Sequence, residues 1–126
     1  MALMPHDLVV EAKSQIKEVS CSEAQALLPK RVVIDVREYD EFAAGHLPGA
    51  INIPRGVLEF KIGSVPEAAR TDAPILLYCR TSGRAALSAV QLQRLGYADV
   101  LSMAGGYEQW EKDSRPVEKP APVNFD

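Results

Sequence analysis

Along the chain, short runs of branched apolar residues alternate with segments whose apolar positions recur at helical spacing. Residues 16–19 form a first short strand, and Ser20 followed by Glu23 has the spacing of a capping box, predicting a short helix that ends near Leu28. Residues 31–36, RVVIDV, are almost continuously apolar, as a strand buried on both faces of a parallel sheet should be. A second short helix is expected over 38–44, stopped by Gly45 in a left-handed cap, and residues 50–53 form another brief strand closed by Pro54. Residues 55–73 show no clean period and are read as one or two helical turns.

Residues 75–79, ILLYC, are the clearest strand, and Cys79 is read as its last residue. A helix follows over 83–95 and ends at Gly96. Arg84, Ser88, Gln91 and Arg94 lie on one polar stripe of that helix, the remainder being a broad apolar face. A last strand over 98–102 and a last short helix over 106–112 bearing Trp110 complete the pattern, and from Arg115 a proline-rich tail is read as extended or mobile. Strands alternating with helices imply a single α/β domain with a mainly parallel sheet covered on both faces. Residues 1–14 are an N-terminal extension to it and 114–126 its proline-rich tail.

Composition narrows the function. The chain has 126 residues, 47% hydrophobic and 25% charged, with a formal net charge of -3. Such a charge exerts no general pull on nucleic acid or an anionic membrane, so any anion must be held by a local arrangement. No stretch reaches the roughly 18 apolar residues of a membrane helix, and the first residues lack the pattern of a secretory signal. Two cysteines, Cys21 and Cys79, make no disulfide framework, so a reducing cytoplasm with at least one free thiol is expected. His6 and His46 are scattered singly, so neither a metal site nor a cofactor is expected.

The chemistry concentrates after the clearest strand. Cys79 is followed by Arg80, Thr81, Ser82, Gly83 and Arg84, and a helix begins within that span. A strand turning abruptly into a helix leaves backbone N–H groups without intrahelical partners, and the helix N-terminus adds about half a positive charge. If the loop curls around the cysteine, those amides converge on its sulfur. Arg80 and Arg84 add two cations, making an anion cradle that favours thiolate over thiol. Nucleophile and anion site would then share one loop.

The chain resembles the rhodanese family in three blocks. The first is Val33-Ile34-Asp35-Val36-Arg37 with Glu41-Phe42 and the run from Gly45-His46-Leu47-Pro48-Gly49-Ala50 to Pro54. The second is the loop from Cys79 to Ala85, and the third Gly105-Gly106 followed by Trp110. The likeness spans roughly residues 15–113, which would be the rhodanese-like domain. It implies a five-stranded fold and a double displacement in which Cys79 takes sulfane sulfur from thiosulfate or a similar anionic donor. The persulfide then passes that sulfur to a thiophile such as cyanide, a thiol or a protein thiol. The amides of residues 80–84 would cradle the persulfide and the anion, with Arg80 and Arg84 supplying positive potential. Many relatives carry glycine three residues after the cysteine. This chain has Ser82 there, with glycine one later at Gly83. No nucleic acid or membrane partner is expected, and the protein is expected to be a monomer.

Other roles compete for these residues. A phosphatase or arsenate reductase would use the same kind of loop with five residues between cysteine and arginine; here there are four, Arg80 to Gly83, a tighter ring suited to sulfur. A persulfide carrier serving a protein partner shares the site and stays open, whereas an inactive interaction module fits poorly with an intact cysteine and two arginines. His46 is read as a structural hydrogen-bonding group, Trp110 as a core anchor and Cys21 as inert. Asp35, Arg37 and Glu41 are read as one ion-pair network, and Gly105 and Gly106 as letting backbone pass close to the loop.

Overall fold

The structure, a computed structural model, describes residues 2–121. The chain runs α1 (Pro5–Lys13), β1 (Lys17–Val19), α2 (Cys21–Leu27), β2 (Val32–Asp35), α3 (Tyr39–Ala44), β3 (Ile51–Asn52), α4 (Leu58–Lys61), β4 (Ile75–Tyr78), α5 (Gly83–Arg94), β5 (Val100–Met103) and α6 (Gly106–Lys112). Five parallel strands form one sheet in the order β1-β5-β4-β2-β3. This is the α/β architecture the alternating pattern implies.

β4 lies at the centre of the sheet, and its side chains alternate between two cores. Ile75 and Leu77, followed by Cys79, pack with Ile34, Ala85, Ala89 and Leu92 on the α5 face. Leu76 and Tyr78 pack with Leu47, Met103 and Trp110 on the other. With both faces covered, an apolar residue is favoured at every position, which is why the segment reads as a continuous run. Trp110 is fully buried and donates its indole N–H to the Pro116 carbonyl at 2.8 Å. At the predicted capping box, Ser20 Oγ accepts from the Glu23 amide at 3.1 Å and Glu23 Oε1 from the Ser20 amide at 3.0 Å.

Several expectations change. β4 ends at Tyr78, so Cys79 is the first residue beyond the strand rather than its last. Residues 5–13, given no element from the sequence, form α1, which packs along α5 and buries Ala12. α5 packs against α1, the sheet, α4 and the turn at residues 55–57. Ser88 of its polar stripe is buried, and its hydroxyl donates to the Arg84 carbonyl at 2.7 Å. Gly45 takes φ 155° and ψ 142°, not a left-handed cap; its missing Cβ leaves room for the Tyr107 hydroxyl. Residues 55–68 hold α4 among single 3₁₀ turns, with Leu58, Ile62 and Ala68 in the core. The tail is strapped down, because His46 and Glu118 exchange backbone hydrogen bonds of 2.9 and 2.8 Å. Its residues 122–126 lie outside the described ones. Among the described residues no helix is long and apolar enough to cross a membrane.

The carboxyl end of β2 carries a buried ion pair. Asp35 is fully buried and accepts from Arg37 through its backbone amide (2.9 Å), Nε (3.0 and 3.1 Å) and Nη2 (2.7 Å). The Tyr78 hydroxyl donates to Asp35 at 2.6 Å and accepts from the Leu47 amide at 3.1 Å. Burial and then the Asp35 charge push the Tyr78 phenol well above its ordinary pKa, so it remains a proton donor. A buried carboxylate is tolerable only with such partners. Tyr78→Phe removes one of them and leaves the Leu47 amide unsatisfied. It should lower stability by about 1–3 kcal/mol, read as a reduced urea midpoint at unchanged slope. An unshifted midpoint would contradict this account of the pair.

Candidate active site

The chain leaves β2 toward β3 at one edge of the sheet and leaves β4 toward β5 on the other side. Where neighbouring strands of an open parallel sheet diverge in this way, a crevice opens beyond their carboxyl ends. Cys79 sits there, 1% exposed, and its Sγ accepts a hydrogen bond from the Ala85 amide at 3.3 Å. The helix start explains why the loop has donors to spare. The Ala86 amide bonds the Ser82 carbonyl at 2.9 Å, while among the described residues the amides of 80–84 donate to no protein acceptor.

The carbonyls of the loop face the other way. Cys79 O accepts from the Tyr107 amide at 2.8 Å and Arg80 O from the Glu108 amide at 3.0 Å, both in the first turn of α6. In a planar trans peptide the carbonyl and the next N–H point in opposite directions. Holding these two carbonyls on α6 therefore turns the N–H groups of Arg80 and Thr81 away from it. Gly106, at φ 62°, makes the approach possible, since a Cβ there would overlap the Arg80 and Thr81 carbonyls. Ser82 has φ -159° and ψ -15°, so a serine meets no left-handed backbone at that position.

The two arginines have different surroundings. Arg84 makes a two-pronged ion pair with Glu41, Nη1 to Oε1 at 2.7 Å and Nη2 to Oε2 at 3.1 Å. The hydrogen bonds from Arg84 hold the Glu41 carboxyl at about 2, and those same bonds raise the Arg84 guanidinium above its ordinary value. Glu41 therefore pairs with the start of α5 rather than with the Asp35–Arg37 pair, where the sequence reading put it. Arg80 is exposed and lines a cleft of about 250 Å³ with Arg37, Glu41, Tyr107, Glu108 and Glu111. The hydroxyls of Thr81 and Ser82 donate to no protein acceptor among the described residues. The sequence reading missed the Ala85 amide and the α6 amides, but its reading of the 105–106 glycines as letting backbone pass close to the loop holds at Gly106.

His46 is occupied elsewhere, with Nδ1 3.1 Å from the Phe42 carbonyl and its ring stacked on Phe42. The Cys21 thiol is buried against the Ala104 and Gly106 carbonyls, 3.7 and 3.8 Å away. Burial, and then the charge of Asp113, raise its pKa; Arg115 of the tail is a nearby cation that the linear sequence does not place there.

The Rhodanese-like domain family model matches residues 20–113. The chain belongs to the rhodanese family. Its rhodanese domain is similar to the human thiosulfate:glutathione sulfurtransferase, 36% identical over 76% of this chain and 95% of that protein. It is also similar to thiosulfate sulfurtransferase GlpE of Pseudomonas fluorescens, 34% identical over 77% of this chain and 86% of the other. Among solved structures, a Rhodopseudomonas palustris protein of unknown function, named a possible tyrosine phosphatase, superimposes with TM-score 0.82 at 27% identity. That match covers 94% of this chain and 96% of the other. Curated sulfurtransferases among the relatives support sulfur transfer as the general activity of this rhodanese domain.

The Glu41–Arg84 pair fixes a pH dependence. Glu41 ionises at about 2 in the folded protein and near 4.5 when unpaired. A depressed carboxylate contributes stability above its unfolded value and loses it as pH falls toward the folded one. The stability difference between the native protein and Glu41→Gln should therefore be constant from pH 7 to about 5 and vanish toward pH 2. Urea titrations across that range would show it. A difference that grows on acidification would contradict the pairing.

Proposed function

We propose that the protein is a sulfurtransferase that carries sulfane sulfur on Cys79, taken from thiosulfate or a similar anionic donor. The observation that carries this reading is a buried cysteine sulfur that accepts from the Ala85 amide, in a loop whose amides at 80–84 have no protein acceptor among the described residues. In the first half-reaction the Cys79 thiolate attacks the outer sulfur of thiosulfate. The Sγ–S bond forms, the bond from outer sulfur to sulfonyl sulfur breaks, and its electron pair leaves with sulfite. In the second, an acceptor thiolate or cyanide attacks the outer sulfur and the electron pair of the broken Sγ–S bond returns to Cys79.

The loop residues have distinct roles in this reading. The amides of residues 80–84 hold the anionic outer sulfur, at positions that exist before reaction and need no reorganisation. Arg80 draws the donor to the mouth, the Thr81 and Ser82 hydroxyls can donate to a sulfonyl oxygen, and Arg84, paired with Glu41, supplies only what charge that carboxylate leaves it. Cys79 is nearly inaccessible, but an S–S bond of about 2 Å places the transferable atom within the loop, closer to its mouth than Sγ, where an acceptor can meet it. The acceptors this chemistry admits are cyanide, a small thiol or a protein thiol. The name of the human relative favours the small thiol. A carrier that hands the persulfide to a protein partner would use the same residues.

The direct test is intact-mass spectrometry after incubation with thiosulfate. A gain of one sulfur atom, mapped to Cys79 and absent from Cys79→Ser, is expected. A protein that stays unmodified with thiosulfate and other sulfane donors would end the proposal.

Phosphoryl chemistry is the competing reading, raised by the name of the Rhodopseudomonas palustris protein. Ring size separates the two. Inserting one glycine between Ser82 and Gly83 gives the five-residue spacing. Closure entropy changes by only a fraction of a kcal/mol, so the fold should survive. Displaced amides should nevertheless cut sulfur transfer by about 100-fold, as a shift near 1 Å does in an active site. Hydrolysis of aryl phosphates by the native protein, with thiosulfate ignored, would overturn the assignment.

A further inference from the structure

The charges around Cys79 are balanced more closely than two loop arginines suggest. Arg37 is cancelled by the buried Asp35. Arg84 is cancelled by Glu41 through two hydrogen bonds at the loop, which leaves Arg80 as the cation of the loop with no salt-bridge partner among the described residues. Glu41 is held in place independently of Arg84, because its Oε1 also accepts from the Glu38 amide at 3.1 Å in the first turn of α3. Its carboxyl stays ionised throughout the pH range in which the protein would work.

We propose that Glu41 is a specificity-determining residue that acts through Arg84. By neutralising that guanidinium it shifts the site away from dianionic sulfur donors and toward donors bearing one negative charge. This rests on Cys79 accepting sulfane sulfur and adds the charge class of the preferred donor. Two extra negative charges entering beside the Cys79 thiolate meet only one loop cation without a salt bridge, in a cleft that Glu108 and Glu111 also line. A monoanion is matched by it. The steric demand is not the discriminator, since the ring holds only the outer sulfur in either case.

A matched donor pair isolates charge from chemistry. Thiosulfate, a dianion, transfers sulfur and releases sulfite. Methanethiosulfonate, a monoanion, transfers the same sulfane sulfur and releases methanesulfinate. In both, the Sγ–S bond forms as the bond from outer sulfur to sulfonyl sulfur breaks, and its electron pair leaves with the sulfonyl sulfur. Glu41→Gln keeps the shape and can still accept from the Glu38 amide, but frees the Arg84 charge. The ratio of kcat/KM for thiosulfate to that for methanethiosulfonate should rise about fivefold, the size of one exposed ion-pair interaction. The salt dependence of the thiosulfate reaction should steepen, since ions screen the freed charge. Glu41→Asp, which keeps the charge, should stay near the native ratio.

Both donors falling together in Glu41→Gln, with the ratio unmoved, would mean that Glu41 only holds the loop and would overturn the inference. So would an unchanged ratio at full activity. Mass spectra of the native protein with each donor separate the two levels. Persulfide on Cys79 with an unmoved ratio sinks this inference alone, whereas no persulfide from either donor sinks the sulfur-transfer reading and this inference with it.

Discussion

A loop that offers its amides to an anion must place its carbonyls elsewhere, because the two point oppositely along the peptide and neither can be buried unpaired without cost. Here the carbonyls of Cys79 and Arg80 go to the first amides of α6, at 2.8 and 3.0 Å. Everything at the candidate site depends on that arrangement. It fixes the direction of the next N–H groups and requires that Gly106 have no side chain. It also couples a helix late in the chain to a cysteine between β4 and α5. Trp110 and Tyr107, buried on the inner side of α6, keep that helix against the sheet. The pinning is therefore as rigid as the core beneath it.

A second constraint acts from the neighbouring strand. Asp35 and Arg37 form a fully partnered buried pair, and the Tyr78 hydroxyl ties it to the strand that leads into Cys79. Arg37 also reaches the Gly45 carbonyl at 2.7 Å and lies over the Tyr107 ring at 4.2 Å. One guanidinium thus touches β2, the end of α3 and the start of α6. Truncating one partner of such a pair leaves the other charge buried and alone, which is why these groups are far less replaceable than exposed pairs such as Arg70–Asp72.

Much of this was legible in the sequence for physical reasons. β4 reads as a strand because both its faces are buried, so no polar residue interrupts it. The capping box at Ser20 and Glu23 is a local signal and folds as one. The loop from Cys79 to Arg84 is contiguous, so its residues could be read together without knowing the fold. What could not be read depends on long-range geometry. The Glu41–Arg84 pair joins residues from α3 and α5 that only the sheet order brings together. Ser88 lies on the polar stripe of α5 in the sequence but is buried, because the elements packed around that helix come from distant parts of the chain. The 55–68 segment mixes 3₁₀ and α turns too short to establish any period. Residue type alone suggests a left-handed cap at Gly45, whereas its lack of a Cβ makes room for the Tyr107 hydroxyl.

The central claim is that the amides of residues 80–84, freed by the carbonyl contacts to α6, hold the sulfur that Cys79 carries. A crystal structure of the protein after treatment with thiosulfate tests it most directly. The account predicts a second sulfur bonded to Sγ, lying inside the loop and accepting hydrogen bonds from several of those amides while the bonds from Tyr107 and Glu108 to the loop carbonyls persist. A second sulfur pointing out of the loop with those amides bonded to water, or a loop whose carbonyls have left α6, would contradict it.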